Sequence, residues 1–494
     1  MEVLFQNAKN GELTVTIDGF FFHSSYSPTK EAQRFVDNLN FPFSPAMIFI
    51  TEPGISYCAD FLRKKFPCAK LIAIRYLKDF KQFDKKFDFV IDFFSFLQNS
   101  NSFENFISSQ FSESDILSSF FCSWNTTEKC FPYFEKLFWQ AIKNITQKAK
   151  TILITNQFFE KKWFLNTISF FNYLQNPVLL KKKISKDILI IASGPSLQVA
   201  LSSIKKNQAS YFLIVLSSAI KCCFENNIIP DLCISTDGGY WAKEHLKILE
   251  TYPNVVLALS CESCCQKNIL KKSLILPLLY EDGISNDLSQ VSEIEFCNAK
   301  RNGTVSGTAL EFAMNNSTGN IYLFGLDLHS KKGFQHTNPN ELQINSQMHD
   351  FKLNSTEKKQ VSAMLNSESL KVYENWFSNF DINNRNIFRV IEKNDKNNSL
   401  GKIKDISIKE FENNTPHNQI KKDFNTFFII QKKKINLRNI KLLLKEIFFQ
   451  DKIKRQFYPL DFVQYFHSKN PQILLKIEEN HKKLFDKANS FFSV

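Results

Sequence analysis

The sequence predicts a multidomain α/β protein built around a parallel sheet, and three observations carry that expectation. Between Ile188 and Gly325 short apolar runs alternate with stretches of helical spacing, the pattern of strand-helix-strand units. Several of these runs end in small polar or glycine-bearing turns, which are Ser193-Gly194-Pro195-Ser196, Ser217-Ser218 and Thr236-Asp237-Gly238-Gly239. The chain is 494 residues long, which at roughly 150 residues per domain leaves room for about two to four domains.

Taken in order, residues 11–23 alternate at Leu13, Val15 and Ile17, turn at Asp18-Gly19 and continue to His23, which predicts a β-hairpin. Pro28 opens a helix whose apolar residues Ala32, Phe35, Val36 and Leu39 share one face. Strands are expected at 47–50, 71–75 and 87–92, with a helix at 56–65, so residues 1–130 form a small α/β domain. The turn Thr51-Glu52-Pro53-Gly54 sits where a dinucleotide would bind, but that fingerprint needs three glycines and only Gly54 is there, so the domain is a degenerate Rossmann-like one. Residues 131–185 are aromatic and amphipathic, with Phe134, Leu137, Phe138 and Ile142 at helical spacing, and are expected to be bridging helices.

The central domain, residues 186–395, opens with the apolar run 188–191, which reads as a strand buried on both faces. Pro195 and Ser196 stand at the entry of a helix carrying Leu197, Leu201 and Ile204, an N-terminus where backbone N–H groups stabilise an anion, here a phosphate. Further strands follow at 211–216, 232–235 and 321–325, and the loop 302–310 opens another helix. In an open parallel sheet the ligand crevice lies at the carboxyl ends of the strands, so these loops should converge there. The loop 331–337 brings His336 to that side, while residues 338–355 form a polar cover. A helix between 361 and 380 and a strand at 386–391 complete the domain, and 392–402 is a charged hinge. Residues 396–494 should be a helical domain, with helices at 421–430, 437–449 and 473–492.

Composition excludes several classes. The chain is 43% hydrophobic and has 52 Phe, yet no uninterrupted apolar span could cross a bilayer, and its amino terminus has no secretory signal, so a cytoplasmic location is expected. Eleven cysteines without a signal point to reduced thiols, and the lone C-x-x-C at Cys261–Cys264 lacks the second pair that zinc requires. The net charge of +13, from 62 basic and 49 acidic residues, is scattered, with runs only at Lys181-Lys182-Lys183 and Lys432-Lys433-Lys434. Nucleic-acid binding would need a basic stripe with a reading module, so no nucleic-acid partner is expected.

The Ser193–Leu197 turn, Pro230-Asp231 with Asp237, the 303–307 loop and Gly325-Leu326-Asp327-Leu328 with His336 together resemble the motility accessory factor (Maf) proteins, bacterial flagellin glycosyltransferases. Their central domain is similar to a pterin pyrophosphokinase MptE-like domain and to bacterial sialyltransferases, in which an asparagine usually stands where Ser193 does here. Asp18-Gly19, His23-Ser24-Ser25-Tyr26-Ser27-Pro28 and Glu31-Ala32 resemble the family's amino-terminal signature, a hydroxyl-rich segment followed by a helix. The resemblance implies transfer of a nonulosonic, sialic-like acid from a CMP-sugar to Ser or Thr hydroxyls of flagellin.

With such a donor, Ser193, Gly194, Pro195 and Ser196 would receive phosphate, with Ser217, Ser218, Thr304 and Ser306 as added donors. Gly194 and Gly307 would let the backbone approach the ligand. Asp237 has three open readings, as a ligand for a sugar hydroxyl, a holder of a divalent cation, or a turn cap, and the first ranks ahead because one carboxylate makes a poor metal site. His336 is the candidate base, with His329 and His245 as weaker rivals, and Asp327 would orient the imidazole. Two alternatives stand beside this reading. A pterin pyrophosphokinase-like phosphoryl transferase would need carboxylates holding Mg2+ for ATP, the one cofactor in question, and a non-catalytic module would bind flagellin or nucleotide without turnover.

Overall fold

The computed structural model describes residues 1–96, 100–328, 336–359, 368–392, 399–416 and 424–492. Its contacts gather into two compact units, 1–160 with 450–484, and 161–449 with 485–494. The finer division at 130, 185 and 395 remains a proposal.

The smaller unit begins with three antiparallel strands, β1 Val3–Asn7, β2 Leu13–Ile17 and β3 Phe20–Phe21. The expected hairpin is β2 and β3, paired at Ile17 and Phe20 around Asp18-Gly19, where both φ angles are positive. A four-stranded parallel sheet follows, ordered β6 Phe89–Asp92, β5 Lys70–Arg75, β4 Met47–Thr51, β7 Ser119–Ser123. All five residues of β4 are buried because it is central, with parallel neighbours on both sides. The helix Pro28–Asn38 buries Pro28, Ala32, Phe35 and Val36, the face its spacing predicts. Residues 132–173, expected as separate amphipathic segments, are one continuous helix, Pro132–Tyr173.

The larger unit is organised on nine parallel strands in the order β14 Cys297–Ala299, β13 Ile275–Tyr280, β12 Val256–Ser260, β11 Leu232–Ser235, β10 Phe212–Leu216, β9 Ile188–Ile191, β15 Ile321–Phe324, β16 Ile387–Ile391, β17 Lys404–Ser407. Strands β9 to β14 step outward in one direction, and the chain then returns to place β15 on the other side of β9. Winding reverses between β10 and β15 around β9, and the carboxyl ends there form the topological switch point where α/β sheets take ligands. The core on one face of the sheet is largely aliphatic, including Ile188, Ile190, Ile214, Leu232, Val256, Leu276, Leu310 and Leu323, and the alternate residues Leu189, Leu213, Val215 and Leu257 are buried on the other.

The structure adds strands that sequence patterning missed. β12, β13 and β14 extend one edge and β17 the other, while β18 Phe428–Ile430 pairs antiparallel with β8 Val178–Leu180. Residues 421–430, expected as a helix, therefore end as a strand after a short helix Phe424–Phe427, and 421–423 lie outside the described residues. The helix expected from 361 is described as Glu368–Ser378, and 361–367 are likewise outside. Carboxy-terminal helices run Leu437–Ile447, Asp451–Phe457, Pro459–Ser468 and Pro471–Phe491.

Candidate functional site

The turn after β9 and the loop after β15 meet directly. Gly194 N–H donates to the Gly325 carbonyl at 2.8 Å, and Ser196 N–H donates to Asp327 Oδ2 at 2.7 Å. A methyl group at Gly194 would lie 2.4 Å from the Gly325 oxygen and 2.5 Å from Asp327 Oδ2, so the missing Cβ accommodates the neighbouring loop rather than a ligand. The anion at the N-terminus of the helix Leu197–Asn207 is the protein's own buried Asp327 carboxylate, and Pro195 has no N–H to offer.

A group of hydroxyls lies beside this lock, with Ser193 buried and Ser218 half-buried. Ser193 Oγ lies 2.8 Å from Ser218 Oγ, at the end of β10, and 2.8 Å from His336 Nδ1. Thr337 N–H donates to the Ser193 carbonyl at 2.6 Å, and Asn340 Nδ2 donates to the Ser218 carbonyl at 3.1 Å, so the segment after His336 is tied to both strand ends. Asn340 also caps the helix Glu341–Met348, so the polar cover read at 338–355 contains a helix. Ser217 is buried next to Ser218. Burial lowers the His336 pKa to about 4, with the nearby His245 adding to the effect, so the imidazole is neutral at neutral pH. His245 itself is held by Glu341, with Nδ1 2.6 Å from Oε2. His329, the other rival, lies outside the described residues, as do 331–335 of the loop before His336.

Farther along the same edge, the helix Val305–Asn316 packs against β9, β10, β11 and β14. It begins just after β14, with Thr304 Oγ1 and Ser306 Oγ 2.8 Å apart at its start. A Cβ at Gly307 would approach Asn302 at 2.9 Å and Trp376 at 3.2 Å, so this glycine also serves packing. Asp237 is exposed after β11, and its Oδ1 accepts from Gly239 N–H at 2.8 Å, the contact of a turn cap. Burial, with the Asp237 charge behind it, raises the Tyr373 pKa.

One cluster escaped the sequence reading. Arg301, just past β14, binds Glu262 bidentately at 2.6 and 2.7 Å and Asp282 at 2.9 Å, and its guanidinium lies over the rings of Tyr280 (4.4 Å) and Trp163 (5.2 Å). Burial disfavours the Arg301 charge, yet hydrogen bonds to Asp282 and Glu262 hold its pKa above the ordinary guanidinium range. The three ends of β12, β13 and β14 are thus clamped together. Glu262 lies inside Cys261–Cys265, where the cysteines draw attention away from it.

Mg2+ fits these residues poorly as a resident ion. Among the described residues no three His, Cys, Asp or Glu side chains gather at metal-binding distance, and Asp327 already accepts from Ser196. No helix of the described residues is long and apolar enough to cross a membrane.

Comparisons with known proteins agree with this architecture. Residues 156–333 match the family model described as 6-hydroxymethylpterin diphosphokinase MptE-like. A protein of Treponema pallidum (strain Nichols), described as uncharacterized, is 27% identical over 332 residues, which cover 67% of this chain and 72% of that protein. The solved structure of a Maf glycosyltransferase from Magnetospirillum magneticum AMB-1 superposes with a TM-score of 0.57 at 13% identity, covering 100% of this chain and 89% of the other, a likeness of fold. Residues 156–333 are therefore similar to the MptE-like family model, and the chain shares the fold of a Maf glycosyltransferase, the family its motifs resemble.

Proposed function

We propose that the crevice at the switch point binds a CMP-activated nonulosonic acid and transfers the sugar to Ser or Thr hydroxyls of flagellin in the cytoplasm. The observation that carries this reading is the chain from Ser218 Oγ through Ser193 Oγ to a neutral His336 imidazole at the carboxyl ends of β9 and β10. Because Asp327 occupies the helix terminus, the donor's phosphate is received by hydroxyls, those of Ser193, Ser218, Thr304 and Ser306, rather than by the turn's N–H groups. His336 takes the acceptor proton as the new glycosidic bond forms, directly or through Ser193, and the phosphate leaves with CMP. Asp327 acts indirectly, by fixing the turn that carries Ser193. Asp237 is reserved for a hydroxyl of the ribose or sugar.

The description of the matched family model favours one other reading, phosphoryl transfer from ATP to a pterin-like acceptor. It needs Mg2+ held by carboxylates, and the poor fit noted above counts against it. Coexpression with flagellin followed by intact mass tests the proposal. A mass increase of one nonulosonic residue per site supports it, and unmodified flagellin beside an active donor supply contradicts it. Thermal shift separates the rivals, since CMP alone should stabilise the transferase and ATP with Mg2+ the kinase-like enzyme.

A further inference from the structure

The smaller unit has a switch point of its own. In its sheet the order β6-β5-β4-β7 places β5 and β7 on opposite sides of β4, so a ligand crevice is expected where β4 and β7 end. The chain fills the centre of that crevice itself. Phe22 and His23 are buried there, His23 Nε2 accepts from Ile55 N–H at 2.9 Å in the manner of a bound anion, and the Phe22 carbonyl accepts from Trp124 Nε1 at 3.2 Å and Thr126 Oγ1 at 2.7 Å. A methyl group at Gly54 would lie 2.3 Å from His23 Nε2. No dinucleotide can lodge against that turn.

Beyond the plug, the hydroxyl-rich segment singled out in the sequence opens on a cavity of 640 Å³, within the size range of small-molecule sites. Ser24, Tyr26, Ser27 and Asn125 line it together with Lys30, Arg34 and the carboxylate-bearing Glu31. Lys30 and Arg34 are exposed and one helical turn apart on Pro28–Asn38, and neither belongs to an ion pair among the described residues. The carboxylates nearby are already engaged: Glu31 Oε2 accepts from Ser24 N–H at 2.7 Å and lies 3.8 Å from His23 Nδ1, while Glu12, whose charge Lys30 also feels, accepts from Thr29 N–H at 3.0 Å.

We propose that this cavity is a second ligand site, for a monosaccharide-sized sugar bearing one anionic group. The Ser24 and Ser27 hydroxyls, whose oxygens already accept from Tyr26 N–H, Ser27 N–H and Asn10 Nδ2, can still donate to sugar hydroxyls beside the Asn125 amide. The Tyr26 ring, with Lys9 Nζ 4.1 Å over one face, offers its other face to a pyranose, and Lys30 with Arg34 pair with the carboxylate or phosphate. This site stands on its own residues and is independent of the reading of the central crevice.

Calorimetric titration of the full chain with N-acetylneuraminic acid, glucose 6-phosphate and glucose tests it. An anionic sugar should bind more tightly than glucose, and the carboxylate and phosphate arms identify which anion is taken. The exposed double substitution Lys30→Gln, Arg34→Gln should weaken that binding by about tenfold or more without changing the melting temperature, and Ser193→Ala should leave it unchanged. Equal affinity for glucose, no binding of either anionic sugar, binding that survives the double substitution, or binding abolished by Ser193→Ala would each overturn the proposal.

Discussion

His336 owes its chemistry to where it is packed. Desolvation and the neighbouring His245 place its pKa at about 4, so the base form persists well below the range of an exposed histidine near ~6.5. The pH profile of kcat/KM should therefore keep its acidic limb near 4, and a limb at 6 to 7 assigned to this residue by its loss in His336→Gln would contradict the burial argument. The same shift has a stability consequence of definite sign. The unfolded chain takes up this proton as pH falls below about 6.5 while the folded one holds off until about 4, so stability is fully present above the first value and declines toward the second, by on the order of 3 kcal/mol. Urea denaturation at pH 7 and pH 4.5 should show a smaller difference for His336→Gln than for the wild type. Gly194→Ala meets backbone and a buried carboxylate that cannot step aside, and a loss of about 1 to 3 kcal/mol is expected. Unchanged stability would mean that β9 and β15 are not locked there. The sequence pointed to Ser193, Asp327 and His336 because each sits in a short motif after an apolar run. That the Ser196 N–H faces the Asp327 carboxylate was not legible there, since it depends on a strand neighbour about 130 positions away.

At the level of elements, the sheet edge from β12 to β14 is held by one guanidinium. Arg301→Ala would leave Glu262, 6% exposed, without its charge partner; the Arg301 side chain is 36% exposed and Ser285 still donates to Glu262, so the cost should be about 1 to 3 kcal/mol, below that of a fully buried pair. Arg301→Lys should recover little of it, because an ammonium cannot make the bidentate contact or lie flat on Tyr280. Thermal melting of the two variants checks both statements, and a melting temperature for Arg301→Lys equal to wild type would refute the geometric part. Strands β9, β10, β11 and β15 were legible as apolar runs closed by polar turns. β14 has only Cys297–Ala299, and β17 is Lys404–Ser407, half of it exposed. Such edge strands are specified by their neighbours, as when buried Arg389 reaches Asp405 at 2.7 Å, and not by local propensity. The strand at 428–430 hid inside an apparently helical run because only pairing with β8 distinguishes it.

For the whole molecule, the parallel architecture brings the loops after β9, β10 and β15 to one switch point although they lie far apart in sequence. Alternation of apolar runs and helical stretches was enough to predict that convergence, because parallel strands put every following turn on the same edge. It could not predict that the smaller unit plugs its own crevice with Phe22 and His23, which look like an ordinary strand end. A net charge of +13 favours anionic ligands at both candidate sites, so binding should weaken as salt is raised. Nucleotide binding at the switch point is tested by calorimetric titration of CMP into the full chain, repeated with Ser193→Ala, Ser218→Ala and His336→Gln. Saturable binding to the wild type is expected, with a loss of about fivefold or more in each serine variant and nearly unchanged affinity in His336→Gln. CMP that does not bind, or that binds all four proteins alike, would contradict binding at the switch point.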